Sequence, residues 1–153
     1  MKKLFLLLTI AVLFASCGKR VLTDETHGMP DDTWMRFEPE AFAVEVSNID
    51  VPYLITMTLK YDTTRFTDEA LPLVVEFFAD SNARHTLFPE IRLINRAGDR
   101  RGTVVDRFCT VIDTLDRCRL FNEAGRYTYR IKQRTSKYEI HGITSIGLKV
   151  EKI

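Results

Sequence analysis

Apolar and polar residues alternate strictly in two segments of this chain. In the first segment, AFAVEVS, Phe42, Val44 and Val46 share one face. In the second segment, YLITMTLKY, one face carries Tyr53, Ile55, Met57, Leu59 and Tyr61. A period of two residues is that of a β-strand with one buried face. Both segments are therefore predicted to be strands that border a core.

Later segments extend this pattern to the end of the sequence. LPLVVEFFA, from Leu71 to Ala79, is apolar on both faces, as a central strand would be. The next strand-like segment, EIRLIN, is followed by a turn signal, RAGDRRG. Three more strand-like segments come after this turn: GTVVDRFCTVI, RYTYRIKQR and ITSIGLKVEK. No segment sustains a helical apolar period. About seven or eight short strands joined by turns predict an all-β fold, an antiparallel β-sandwich that is immunoglobulin-like or jelly-roll-like.

The segment NEAGRYTY resembles a turn found in immunoglobulin-like domains. There, a tyrosine at the turn donates its hydroxyl to the upstream backbone, an arrangement known as a tyrosine corner. Tyr127 would be that tyrosine, and Gly125 would permit the turn. Tyr129 stands where such domains carry a cysteine, so their inter-sheet disulfide is absent. The alternative is an ordinary hairpin with two strand tyrosines, and the sequence leaves both open.

The first residues have the three-part layout of a secretory signal. Lys2 and Lys3 precede an apolar run that is too short to span a membrane, and Ala15 and Ser16 lead into Cys17. This order resembles a bacterial lipobox, in which the cysteine thiol receives a diacylglyceryl group and its amine is acylated with a fatty acid such as palmitate. Residues 1–16 are therefore predicted to be a lipoprotein signal peptide, with Cys17 as the lipidation site. The alternative is a plain secreted protein.

The domain boundaries and the charges of the chain lead to a predicted cellular location. We predict a lipidated tether over residues 17–28 and a single β-sandwich domain over residues 29–153. The chain has 22 Lys and Arg against 21 Asp and Glu, which gives no general attraction to nucleic acid. The stretch Gly18–Lys19–Arg20 is basic and lacks the acidic run that resembles a surface-export signal. We therefore expect an outer-membrane anchor that faces the periplasm.

Candidate catalytic and metal-binding residues are scattered. The three histidines, His27, His85 and His141, have no ligand spacing. The acidic pairs Asp31–Asp32 and Asp68–Glu69 lie in turn-like sequence, and no nucleophile elbow or phosphate loop occurs. We therefore predict no enzyme, no metal and no cofactor.

Trp34 is the single tryptophan and allows two interpretations. It could be a stacking platform for a carbohydrate. More often, such a residue closes one end of a sandwich core, and we predict that role for Trp34.

Cys109 and Cys118 remain once Cys17 carries lipid. Because the periplasm is oxidising, an even pair of cysteines predicts a disulfide. A tight turn at Asp113–Thr114 would place 109 opposite 118 in a hairpin, although Asp-Thr is a poor type I′ turn and a wider loop is the other option. The alternative is a pair of reduced, partly buried cysteines.

Four stretches behind the lipoprotein signal carry a family resemblance: HGMPDDTW, PYLITMTLKY, FNEAGRYTYRIKQ and HGITSIGLKVEK. Together they resemble the gliding-motility lipoprotein GldH family of the Bacteroidota. The residues that match are Pro30, Trp34, Pro52, Tyr53, Phe121, Gly125, Tyr127, Gly142, Ile143, Thr144, Ile146, Gly147 and Leu148. One departure is that TRFTDEALP replaces an aromatic stretch expected before the central strand.

The resemblance implies a role in the cell envelope. It implies an association with gliding motility and type IX secretion, envelope proteins of that apparatus as partners, and no known enzymatic activity. The alternative is a glycan-binding β-sandwich module that uses Trp34 and surface tyrosines. A hydrolase is the reading with least support.

Overall fold

Twelve β-strands make up most of the computed structural model, which describes residues 20–79 and 84–153. The strands are β1 (Val21–Gly28), β2 (Thr33–Met35), β3 (Glu40–Val46), β4 (Tyr53–Asp62), β5 (Ala70–Ala79), β6 (His85–Leu87), β7 (Glu90–Arg92), β8 (Thr103–Val105), β9 (Phe108–Arg119), β10 (Gly125–Gln133), β11 (Glu139–His141) and β12 (Ile143–Lys152). A 3-10 turn, Pro30–Asp32, lies between β1 and β2. The predicted signal peptide and Cys17 lie outside the described residues.

Two antiparallel sheets form the predicted sandwich. The first has the order β1-β12-β4-β9-β8 and the second the order β3-β10-β5-β6, with β7 also paired to β5. Strands β2 and β11 form a small third sheet. Among the long strands, the chain changes sheet at every connection, whereas the short strands of these two sheets pair with a long neighbour in sequence: β6 and β7 with β5, and β8 with β9. This order is that of a jelly roll, so the jelly-roll alternative is the one observed.

The core lies between the two sheets and follows the predicted alternation. The five apolar residues predicted on one face of β4 are all buried. Strand β5 pairs with β10 on one side and with β6 and β7 on the other, which confirms its central position. The prediction of an antiparallel β-sandwich is therefore confirmed.

The sandwich has two ends that differ in content. We call the end where β1 begins the tether end. It also holds the β3–β4 connection (47–52), the β9–β10 connection (120–124) and the residues after β12. We call the opposite end, with β2, β11 and the β4–β5 connection (63–69), the distal end. Strand β4 has ten residues, so the ends lie about 30 Å apart at about 3.3 Å per residue.

The predicted tether over residues 17–28 is too long. Val21–Gly28 forms strand β1, which pairs with β12 from Glu151 to Ser145. This edge strand exposes five of its eight residues, so its sequence, VLTDETHG, lacks the apolar alternation that identified the other strands. The folded domain therefore already includes Val21, within a few residues of Cys17.

The predicted disulfide between Cys109 and Cys118 is wrong, because the chain makes no hairpin, tight or wide, between the two cysteines. Strand β9 runs without a turn from Phe108 to Arg119, and the reversal occurs earlier, at 106–107. Cys109 and Cys118 therefore lie on one extended strand, about 30 Å apart, far beyond disulfide reach. Both are free: Cys109 is buried and Cys118 is exposed.

Candidate interaction surface

The residues that carry the family resemblance separate into the two ends of the sandwich. The distal end holds Pro30, Trp34, Gly142 and Thr144, and the tether end holds Pro52, Tyr53, Phe121, Gly125 and Tyr127. Gly147 lies in the middle of β12, beside β1. The aromatic members are all buried, with at most 7% of the residue exposed. The aromatic members therefore close the ends of the core and support the surface around them.

Two tyrosines close the core at the tether end. The hydroxyl of Tyr127 donates to the carbonyl of Glu123 over 3.1 Å, which is the upstream backbone bond that a tyrosine corner requires. The hydroxyl of Tyr53 makes a second bond of this kind, 2.6 Å to the carbonyl of Asn48. The Phe121 ring lies between them, with its centroid 5.3 Å from that of Tyr53 and 4.6 Å from that of Tyr127.

Trp34 closes the core at the distal end. Trp34 is 1% exposed, and its Nε1 donates to the carbonyl of Glu38 over 3.1 Å. The backbone N–H of Arg36 donates to the carbonyl of Tyr138 over 2.8 Å. These bonds fix the turn that follows β2 and tie it to the segment before β11. The predicted core role of Trp34 is confirmed, and a buried ring excludes it as a stacking platform.

Gly142 joins three segments of the distal end. Its N–H donates to the carbonyl of Asp32, and its carbonyl accepts from the N–H of Asp62, both over 2.7 Å. Its φ of 89° lies in the left-handed region, and a Cβ there would come within 2.8 Å of Arg65 Cβ and of the Phe66 nitrogen. Only glycine fits this position without displacing the backbone.

Asp62 supplies a buried charge beside this glycine. Its Oδ1 accepts hydrogen bonds from Thr64 Oγ1 over 2.7 Å and from the Thr64 N–H over 2.9 Å. Its Oδ2 lies 3.1 Å from Arg107 Nε. The bonds from Thr64, followed by the charge of Arg107, hold the pKa of Asp62 below its usual range.

Gln133 organises the loop that leads to β11. It is 2% exposed, and its Oε1 accepts from Thr135 Oγ1 over 2.7 Å and from the Thr135 N–H over 2.8 Å. Its Nε2 donates to the carbonyl of Lys137 over 3.3 Å. A buried amide whose bonds all go to its own loop fixes that loop's shape, and Tyr138 follows directly.

Phe37 and Tyr138 are displayed on this scaffold. Phe37 is 72% exposed and Tyr138 is 62% exposed, yet their ring centroids are only 5.9 Å apart. The Arg36 guanidinium lies 5.8 Å from the Phe37 centroid. We call Arg36, Phe37 and Tyr138 the aromatic tip. Aromatic and arginine side chains dominate the energetics of protein interfaces, and a rigid support lowers the entropy lost on binding.

The side chains with catalytic potential have structural partners instead. His27 Nδ1 lies 2.7 Å from Glu40 Oε2, and His141 Nδ1 lies 3.0 Å from Thr33 Oγ1. His85 stacks on Phe77. Within residues 20–79 and 84–153, no three His, Cys, Asp or Glu side chains converge on a metal-sized site. In the same ranges, no helix is long and apolar enough to cross a membrane.

The acidic pairs are likewise held by cations. Asp32 Oδ2 lies 3.4 Å from Arg65 Nη1, and Asp68 Oδ2 lies 3.2 Å from Lys137 Nζ. They are therefore ordinary surface ion pairs at the distal end, in connections between strands.

A cavity of about 380 Å³ lies between the sheets at the tether end. It is lined mainly by apolar and aromatic side chains, with His85 and Arg119 at its wall. The Arg119 guanidinium lies 4.5 Å from the centroid of the Phe77 ring. The described lining contains no carboxylate, hydroxyl or thiol group in a nucleophile–base pair with His85. We therefore assign no reaction to this cavity.

Sequence reasoning missed Phe37 and Tyr138. Each stands as a lone aromatic residue in a polar stretch, RFEP and SKYE, outside any strand period. An isolated aromatic residue in a polar turn is a usable signal, but it does not show that two such residues meet.

Comparisons with known proteins place the chain in a family. No curated protein matches the sequence. Among solved structures, the Eiger TNF from S. frugiperda is similar with a TM-score of 0.44 and 13% identity over 88% of this chain and 94% of that one. At this level the likeness says nothing about what this chain binds. The sequence model described as GldH lipoprotein matches residues 21–150, which include every strand except the end of β12. The chain therefore belongs to the GldH lipoprotein family of lipid-anchored envelope proteins.

Proposed function

We propose that this lipoprotein is a non-enzymatic component of a gliding-motility or type IX secretion apparatus, anchored in the outer membrane through Cys17 and facing the periplasm. It acts by binding another envelope protein through the aromatic tip. Family membership supports the association with motility. The observation that carries the binding role is the exposed pair Phe37 and Tyr138, held in contact on a buried scaffold.

The position of the tip supports this proposal. The distal end lies about 30 Å from the end that joins the lipid anchor, beyond the lipid headgroups of the anchoring leaflet. A lipid anchor confines the protein to a surface and so raises its effective concentration near membrane partners. The tip would therefore meet partners that project into the periplasm.

The test of the binding role is a double substitution, Phe37→Ser with Tyr138→Ser. Both side chains are exposed, so the domain keeps its fold, which circular dichroism and thermal unfolding would verify. Affinity purification from crosslinked native envelopes should lose a defined set of envelope proteins with the double variant. The matched control is Ile112→Ser, an equally exposed apolar side chain on β9, which should retain them. Equal recovery from all three proteins contradicts the tip as the binding surface.

A glycan pull-down, run beside this purification, tests the glycan-binding alternative. Tyr138 is an exposed tyrosine of the kind that this alternative requires. Retention of the domain on cell-wall glycan, lost on Tyr138→Ser and accompanied by no protein partner, would favour a glycan-binding module.

The anchor has a separate test. Cys17→Ser should abolish acylation and release the protein into the soluble fraction. An unchanged membrane fraction together with an unchanged mass would contradict lipidation at this residue.

A further inference from the structure

We infer that the tether end is a bilayer-docking surface, which holds the sandwich upright on the membrane interface and points the aromatic tip away from it. This inference rests on the proposed lipidation of Cys17. It goes further because a lipid anchor alone fixes where the protein is and leaves its orientation free.

The first argument is the length of chain between the lipid and the fold. The backbone carbonyl of Arg20 accepts a hydrogen bond from the N–H of Lys152 over 2.8 Å, so Arg20 already belongs to the folded body. Three residue steps separate Cys17 from Arg20, and fully extended chain spans at most about 11 Å over that number. The headgroup layer of one leaflet is roughly 5–7 Å thick. The tether end is therefore held within contact distance of the interface.

The second argument is the chemistry of that end. Four exposed apolar side chains lie there in four separate segments: Val21 at 36%, Ile49 at 38%, Leu120 at 59% and Ile153 at 66%. Backbone bonds keep these segments together, since the N–H of Ile153 donates to the carbonyl of Pro52 in the β3–β4 connection over 3.1 Å. Apolar side chains on an interfacial surface insert at the boundary between headgroups and acyl chains.

The charges at this end indicate what kind of lipid it requires. Among the described residues, cations and anions occur there in equal numbers, Arg20, Arg117, Arg119, Arg126 and Lys152 with Glu45, Asp50, Asp116, Glu123 and Glu151, and Arg119 and Arg126 pair with Asp116 and Glu45. A balanced surface gains little from anionic lipid. Docking is therefore apolar, and it should depend little on salt or on the anionic lipid fraction.

The chain supplies its own probe of this surface. Cys118 is an exposed free thiol on β9, two residues before Leu120. Cys109 is buried, with its thiol donating to the carbonyl of Arg101 over 3.1 Å, so it does not compete for label. Tyr138→Cys, in a Cys118→Ser background, provides the corresponding probe at the distal end.

The experiment uses the full lipidated chain, with its acyl groups verified by mass, in vesicles of phosphatidylethanolamine and phosphatidylglycerol that carry a headgroup-level nitroxide quencher. A fluorophore on Cys118 should lose most of its emission, whereas the fluorophore at position 138 should keep it. Replacing Ile49 and Leu120 by Ser should restore emission at Cys118, and Ile112→Ser should not. Vesicles without phosphatidylglycerol should give the same contrast.

Each outcome decides between the proposals. An acylated protein whose two labels are quenched equally overturns docking and leaves the anchor intact. A protein that carries no acyl groups overturns both the anchor and the docking that rests on it. Quenching at Cys118 that requires phosphatidylglycerol, or that survives the Ile49 and Leu120 replacements, overturns the apolar surface. Protection of Cys118 by a copurifying protein would identify a protein as the occupant of this end instead of lipid.

Discussion

The two ends of the sandwich differ in how far along the chain their side-chain hydrogen bonds reach. At the tether end, the tyrosine bonds that close the core are local, since Tyr127 and Tyr53 reach carbonyls four and five residues upstream. At the distal end, the local bond of Trp34 is joined by a side-chain bond between distant segments, from Thr33 to His141, which are 108 residues apart. Backbone bonds join distant segments at both ends. The side-chain closure of the tether end therefore depends on single loops, whereas the exposed aromatic residues of the distal end depend on several segments meeting.

The largest expected loss of stability comes from replacing a glycine, and it differs between the two ends. Gly142→Val should destabilise the domain by roughly 3–5 kcal/mol, because left-handed strain adds to backbone overlap with Arg65 and Phe66. Gly125→Val at the tether end should cost about 1–2 kcal/mol, because its φ of 142° opposes a side chain but no atom lies within 4 Å of the added Cβ. Urea unfolding of the domain lacking Cys17 would measure both. Equal costs would show that the distal end is not the more tightly constrained one.

A smaller effect tests the tyrosine bonds of the tether end. Tyr127→Phe keeps the ring and removes one hydrogen bond, so it should cost about 1 kcal/mol, whereas Tyr127→Ala should cost about 3–5 kcal/mol. Tyr53→Phe should cost at least as much as Tyr127→Phe, because Tyr53 is fully buried and its bond is shorter. A silent Tyr127→Phe variant in the same unfolding measurement would mean that its hydroxyl exchanges freely with water.

The smallest effect concerns pH and the two edge strands. Partial burial lowers the pKa of His27, but its hydrogen bonds to Glu25 and Glu40 outweigh burial and raise the pKa above 6.5. The protonated His27 ring therefore stabilises the fold through these two carboxylates. This stabilisation is fully present below pH 6.5 and is lost as pH rises through the raised pKa of His27. Because these groups are partly exposed, it should amount to about 1 kcal/mol or less.

His27→Gln should remove this pH dependence. The free energy of unfolding, measured from pH 5 to pH 9 for both proteins, checks it. A wild-type protein that gains stability as pH rises through neutrality would contradict the assignment.

The contrast between the ends also explains what sequence could predict. Strand alternation depends on neighbouring residues, so β4 with its buried face was predictable from Tyr53 to Tyr61. The Tyr127 bond was predictable for the same reason, because donor and acceptor lie in one short turn. The GldH resemblance was confirmed, and its aromatic residues, Trp34, Tyr53, Phe121 and Tyr127, proved to close the ends of the core.

The errors have physical causes. Strand β1 was missed because an edge strand with exposed residues has no apolar period. The disulfide required a reversal between Cys109 and Cys118, whereas the observed turn lies before both of them and uses Asp106 at a φ of 55°. The Phe37–Tyr138 contact was not predictable, since it requires β2 and β11 to pair first.

The most direct test of the whole account compares positions 138 and 120 in living cells. A photo-crosslinking amino acid at each position would report which molecules touch the two ends of the lipidated protein. The account predicts that position 138 crosslinks to a specific envelope protein and position 120 crosslinks to phospholipid. Protein adducts at position 120 with none at position 138 would contradict it.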